Sequence, residues 1–165
     1  MLKVRLAVAS LGIAMMLPAS SALFAQPAEA PAAPIPSQIF TAKKIFISNA
    51  GANFDTNLWS GTPDRTYSEF YLAIRNWGKY ELVSFPNEAD MVLDIRLEGT
   101  PFPYAQFRLV LLDPKTHVAL WTLSERFAAA GLKKSRDKKF DDSIDALVGD
   151  LKALTAQPSA PNATK

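Results

Sequence analysis

The sequence predicts a two-layer α/β sandwich, one mixed sheet of about five strands with two helices packed on it. Three observations carry this: two runs whose apolar residues recur at helical spacing, several short β-branched or alternating runs between them, and a turn motif that folds two of those runs into a hairpin.

Lys43 to Asn49 is β-branched and aromatic at Ile45, Phe46 and Ile47 and ends in Asn49-Ala50-Gly51, so it reads as a buried strand entering a turn. From Tyr67, the residues Phe70, Tyr71, Ile74 and Trp77 fall on one helical stripe. Thr66 and Glu69 supply a capping box for that helix, an earlier start at Thr62 with Pro63 in the first turn is the alternative, and Gly78 offers the left-handed residue that ends it. Tyr80 to Phe85 is a short strand. Met91, Leu93, Ile95 and Leu97 then alternate with Asp94, Arg96 and Glu98, the period of a strand with one face open to water or a partner. Phe107 to Leu112 and Val118 to Phe127 flank Asp113-Pro114-Lys115-Thr116 and form an antiparallel hairpin, whose first strand is apolar on both faces and belongs near the sheet centre. Finally Phe140, Ile144, Leu147, Val148, Leu151 and Leu154 repeat as a helix, with Asp141, Asp142 and Asp145 near its expected start, where the dipole favours negative charge.

These elements occupy a folded domain over 38–156, roughly 120 residues, enough for one core. Ahead of it, Lys3 and Arg5, an apolar run from Leu6 to Leu17, Pro18 and small residues follow the order of a secretory leader over 1–25, cleaved after Ala22 or Ala25. The run is too short for a transmembrane helix, which needs about 20 apolar residues. Residues 26–37, with Pro27, Pro31, Pro34 and Pro36 among alanines, read as a linker, and 157–165 as a disordered tail. Of 18 basic and 16 acidic residues, Lys3 and Arg5 lie in the leader, so the remaining chain is balanced and has no overall field to draw nucleic acid. The sequence contains no cysteine, which removes disulfides, thiolate metal sites, a cysteine nucleophile and a lipidated cysteine.

The helix end Asn76-Trp77-Gly78-Lys79-Tyr80-Glu81-Leu82-Val83, the run Glu88-Ala89-Asp90 into Met91-Val92-Leu93-Asp94-Ile95, and Leu112-Asp113-Pro114-Lys115-Thr116 before Leu120-Trp121 resemble the small α/β domain of certain bacterial envelope proteins. These are relatives of the curli secretion channel protein, the amino-terminal domain of the Tol-Pal propeller protein and lipoprotein activators of penicillin-binding proteins. The resemblance spans the folded region and implies this fold. Two departures stand out: no cysteine is available for a lipid anchor, and His117 occupies the place after the hairpin threonine where the resemblance implies glycine.

Candidate sites are few. His117 is the only histidine, beside a turn, and reads as an exposed turn residue rather than half of a triad or a zinc ligand. Asp141 with Asp145, or Asp90 with Asp94, are the nearest carboxylate pairs for a hydrolase, and helix-terminus charge and strand-surface polarity account for both. Asn53, Asp55 and Asn57 alternate like the opening of a calcium loop, but Leu58 stands where glycine is needed and Asp64 where the closing glutamate is needed. Asn49 to Asp64 is instead a long loop carrying Phe54 and Trp59, with Trp59 either tucked under the domain edge or exposed to a partner. Gly99 to Tyr104 is a second aromatic loop, with Phe102 and Tyr104. Lys133, Lys134, Arg136, Lys138 and Lys139 form a basic cluster read as a loop before the last helix, either solvated or in touch with anionic headgroups or an acidic partner. Phe54, Trp59, Phe102, Tyr104 and these five cations are the expected contact residues.

The expectation is a non-enzymatic periplasmic or secreted accessory protein, without cofactor or metal, that binds another envelope protein through loops and a sheet edge. Self-assembly is the first alternative and a carboxylate-based hydrolase the second. Nucleic acid is not an expected partner, nor is membrane contact through the mature domain.

Overall fold

The computed structural model describes residues 34–156. The leader, most of the linker and the tail after Ala156 lie outside the described residues. In chain order the elements are α1 (Gln38–Thr41), β1 (Lys44–Ala52), α2 (Arg65–Trp77), β2 (Glu81–Leu82), β3 (Met91–Gly99), β4 (Tyr104–Leu112), β5 (Ala119–Ala128) and α3 (Lys133–Ala156).

The five strands form one sheet in the order β2-β1-β3-β4-β5. β1 runs parallel to β2 and β3, while β3, β4 and β5 alternate antiparallel, so the sheet is mixed as expected. The alternation read in the sequence sorts the faces. Ile45, Ile47, Met91, Leu93, Ile95, Leu97, Phe107, Leu109 and Leu111 are buried on one face, under α2 and α3. Phe70 and Ile74 come down from α2, and Phe140, Ile144, Leu147, Val148 and Leu151 from α3. Large aromatic side chains bury the most area per residue and fix the geometry where they meet. Phe107, Phe127 and Phe140 do so here, with ring centroids 4.7 Å and 4.8 Å from the Phe107 ring.

Three boundaries differ from the sequence reading. The Thr66–Glu69 capping box does not form: α2 starts at Arg65, Thr66 is buried in the first turn, and Glu69 lies 3.4 Å from Arg65 instead. Gly78 ends α2 in the left-handed conformation, φ 69°, as predicted. The strand expected from Tyr80 to Phe85 shrinks to Glu81–Leu82, because only those two residues pair with β1 and Tyr80 turns into the core. The centre of the sheet is β3, with β4 next to it and β5 at the edge. The largest difference is at α3, which begins at Lys133, so the basic cluster is helix rather than loop. Asp141, Asp142 and Asp145 therefore lie beyond its first two turns, too far in for the end of the helix dipole to act on them.

The sheet gives the domain two poles. At the lower pole, where β1 and β3 start, Asp90 accepts hydrogen bonds from the backbone amides of Lys43 and Lys44, both at 2.9 Å. The hairpin turn closes at the same pole. There Asp113 accepts from the amides of Lys115 and Thr116, and His117 takes a left-handed φ of 58°, the conformation that favours glycine. Both ends of the described chain lie here: Gln38 of α1 donates to the Asp90 carbonyl, and Lys79 donates to the Thr155 carbonyl near the end of α3. At the upper pole β3 and β5 end, β4 and α3 begin, and the two aromatic loops sit.

Candidate interaction surface

The loop after β1 is fastened to the domain. Trp59 is 3% exposed, its ring 5.6 to 5.8 Å from those of Phe54, Phe127 and Phe140. Its indole N–H has no hydrogen-bond partner among the described residues, a cost the aromatic packing offsets. Phe54 lies against Gly99, where a Cβ would stand 2.6 Å from its ring, and Asn53 accepts a hydrogen bond from the Gly99 amide. Asp137, in α3, accepts from the Ser60 amide at 2.8 Å and the Ser60 hydroxyl at 2.7 Å, and Arg65 reaches the same carboxylate at 2.8 Å. The Arg65 guanidinium also pairs with Asp141 and lies 4.5 Å above the Phe140 ring. The Ser60 donors, with Arg65 behind them, hold the Asp137 carboxyl down at about 2.

Trp59 is thus a core residue and Phe54 a half-buried neighbour, and neither offers the partner surface expected of it. The would-be calcium ligands are also engaged: Asn53 at Gly99, and Asp55 with the amide and side chain of Asn57.

The second loop is the opposite case. Phe102 is 82% exposed, and Tyr104 projects beside it with the Arg126 guanidinium 4.2 Å from its ring. Pro103 accepts a hydrogen bond of 2.7 Å from the Ala129 amide, which brings this loop against the turn that leads into α3. That turn carries Leu132, 83% exposed.

The basic cluster divides. Arg136 is spent inside the fold, donating to the carbonyls of Leu58 and Gly131, and Lys138 pairs with Asp142 one helical turn on. Lys139 is half-buried, while Lys133 and Lys134 are exposed and make no ion pair among the described residues. They occupy the first turn of α3, which holds no acidic residue, against the dipole preference.

Two further surfaces escaped the sequence reading. On the open face of the sheet Arg96 and Arg108 stand directly opposite each other, a repulsive arrangement eased by Glu98 at 4.0 Å and 3.7 Å, and Glu98 also accepts from Gln106. The alternating polar residues of β3 signalled that face, but the register that aligns the arginines did not show. β5 is the outer strand, ten residues long, paired with β4 on one side and, among the described residues, with no strand on the other. Thr122, Ser124 and Arg126 are exposed along it.

The proposed catalytic carboxylates do not converge. Asp90 is bound to backbone amides that lower its pKa, Asp94 is on the open face, Asp141 pairs with Arg65, and Asp145 is exposed on α3. His117 is exposed at the lower pole. The largest cavity described, about 520 Å³, is a polar groove there, lined by Gln38, Thr41, Lys43, Asp90, Asp113 and Lys115. Its two carboxylates are the ones already holding backbone amides. No helix among the described residues is long and apolar enough to cross a membrane.

Several solved structures resemble this chain at low identity. A PelC dodecamer from Paraburkholderia phytofirmans is 13% identical, covering 72% of this chain and 92% of that one at a TM-score of 0.44. The C-terminal domain of LpoB from Salmonella enterica is 14% identical over 52% of this chain and 82% of that one, TM-score 0.38. Lipoprotein GNA1162 from Neisseria meningitidis is 14% identical over 69% and 99%, TM-score 0.41. The resemblance read from the motifs, to the small α/β domain of certain bacterial envelope proteins, has counterparts among these solved structures. At such identities and TM-scores they assign neither a family nor an activity. No protein-family model matches the chain, and no curated protein matches it.

Proposed function

We propose that the chain is an exported, non-enzymatic accessory protein of the cell envelope that binds another protein along β5 and the open sheet face beside it. The single observation behind this is the β5 edge: ten residues of extended backbone with no strand among the described residues on the outer side, next to exposed Tyr104, Arg108 and Arg126. An uncovered edge presents a row of backbone donors and acceptors, and an extended segment of a partner satisfies them by adding a strand. The leader residues support export. A binding role suits a fold whose candidate catalytic carboxylates do not converge, Asp90 being held by backbone amides and Asp141 by Arg65.

The test is a photo-crosslinking side chain at Ser124 in cells, with Asn87 at the lower pole as control. Capture of one envelope protein at Ser124 but not at Asn87, lost on Arg126→Glu, is the expected result. Crosslinks only between copies of this chain would replace the reading with self-assembly through the same edge, and no crosslink at Ser124 would end both.

A further inference from the structure

The upper pole carries a feature the β5 edge does not use. Phe102 and Leu132 are the two most exposed large apolar side chains described, at 82% and 83%, and they are 30 positions apart in sequence. The Ala129 amide, bonded to the Pro103 carbonyl, draws their two connections together. Both are held firmly. Tyr104 donates its amide to the Pro101 carbonyl, closing the Phe102 turn, and Arg136 clamps the Gly131 carbonyl while its own amide bonds that of Leu132. Leu58 receives the Nε of the same arginine, which fastens this turn to the Trp59 loop. Two protruding apolar side chains on a braced tip differ from scattered surface leucines, which need no explanation.

The charges beside the two side chains in sequence are mostly basic. Lys133 and Lys134 follow Leu132 directly and are exposed, and Arg126 lies over Tyr104 next to the Phe102 loop. Glu98, four positions before Phe102, pairs with Arg96 and Arg108, Asp137, five after Leu132, is taken by Ser60 and Arg65, and Glu125 is half-buried opposite Phe107 on the helix-covered face of the sheet. Lysines in the first turn also oppose the helix dipole. We propose that this tip, Phe102 and Leu132 rimmed by Lys133, Lys134 and Arg126, seats in the headgroup region of an anionic bilayer. An apolar wedge with a cationic rim matches such an interface, where side chains enter the acyl boundary and lysines meet lipid phosphates. A stable protein interface needs about 800 Å² from each partner, far more than two exposed side chains present. The inference shares Arg126 with the β5 reading, and the Lys133 and Lys134 substitutions, which lie off that strand, test it alone.

A chain without cysteine allows a direct test. Phe102→Cys, Leu132→Cys and, as control, Asn87→Cys at the exposed lower pole are each labelled with an environment-sensitive fluorophore and mixed with vesicles. One set is phosphatidylcholine, the other contains about one-third phosphatidylglycerol. The expected result is a blue shift and roughly twofold or greater brightening at positions 102 and 132 on the anionic vesicles only, with Asn87→Cys unchanged. Adding Lys133→Glu and Lys134→Glu should weaken the response about tenfold or more. Those changes place acids in the first turn of α3, where they favour the helix, so lost binding would not reflect lost folding.

Silence at both positions overturns the proposal. So does an equal response at position 87, which would mark attachment through the leader or the whole surface, or a response indifferent to charge reversal. A response that needs no vesicles and grows with protein concentration would instead assign the tip to a second copy.

Discussion

Two loops at the same pole, each carrying an aromatic side chain and proline, have opposite fates. The loop from Asn53 to Asp64 drives Trp59 into the core, while the loop from Thr100 to Pro103 leaves Phe102 in solvent. The presence of an aromatic residue does not separate them. What differs is the supply of distant partners: Phe127 and Phe140 take the indole, and Asp137 takes Ser60 across 77 positions. The second loop closes chiefly on its own backbone and on Ala129. An aromatic loop thus becomes part of the core where the rest of the chain offers a ring cage and a charged clamp.

The contrast is tested most severely at Trp59. Trp59→Ala should cost about 3–5 kcal/mol in urea unfolding, because it empties a cage of three rings. Next comes Arg65→Ala, at about 2 kcal/mol, which removes charge-assisted bonds while leaving Asp137 with Ser60. The same clamp gives a pH signature of comparable or smaller size. The folded Asp137 carboxyl sits at about 2 against an ordinary 3.8, so its contribution is complete above about pH 4 and fades as pH falls toward 2. Asp137→Asn should flatten that part of an acid unfolding curve. Gly99→Ala, whose Cβ would press on the Phe54 ring, should cost about 1 kcal/mol, with the loop opening ahead of the core in hydrogen exchange. Phe102→Ala closes the series at less than about 0.5 kcal/mol. A large loss there would mean that Phe102 is packed in solution and would erase the contrast.

Much of the fold was legible because it is local. The stripe through Phe70, Ile74 and Trp77, the alternation from Met91 to Leu97 and the Asp113-Pro114 turn each declare themselves within a dozen residues. The start of α3 did not, because its first two turns bury no apolar side chain: apolar periodicity begins at Phe140, and the lysines ahead of it look like a solvated loop. A basic first turn reads against the dipole, so the sequence pointed away from the helix that forms. The site was less legible still. Arg65 was passed over, although an arginine at a helix start is itself a hint of a tertiary acid, and here two acids answer it. Leu132 drew no notice alone, and only folding sets it near Phe102. Sheet order and the Arg96–Arg108 alignment depend on register between strands, which no single run encodes.

Both ends of the described chain lie at the lower pole, by Lys79–Thr155 and Gln38–Asp90, and Phe102 and Leu132 stand at the other. β3 has nine residues and spans about 30 Å between the poles. The described domain is therefore a spacer of fixed length: whatever meets its lower pole is kept one sheet-height from whatever the tip touches, and no strand has to bend to set that gap.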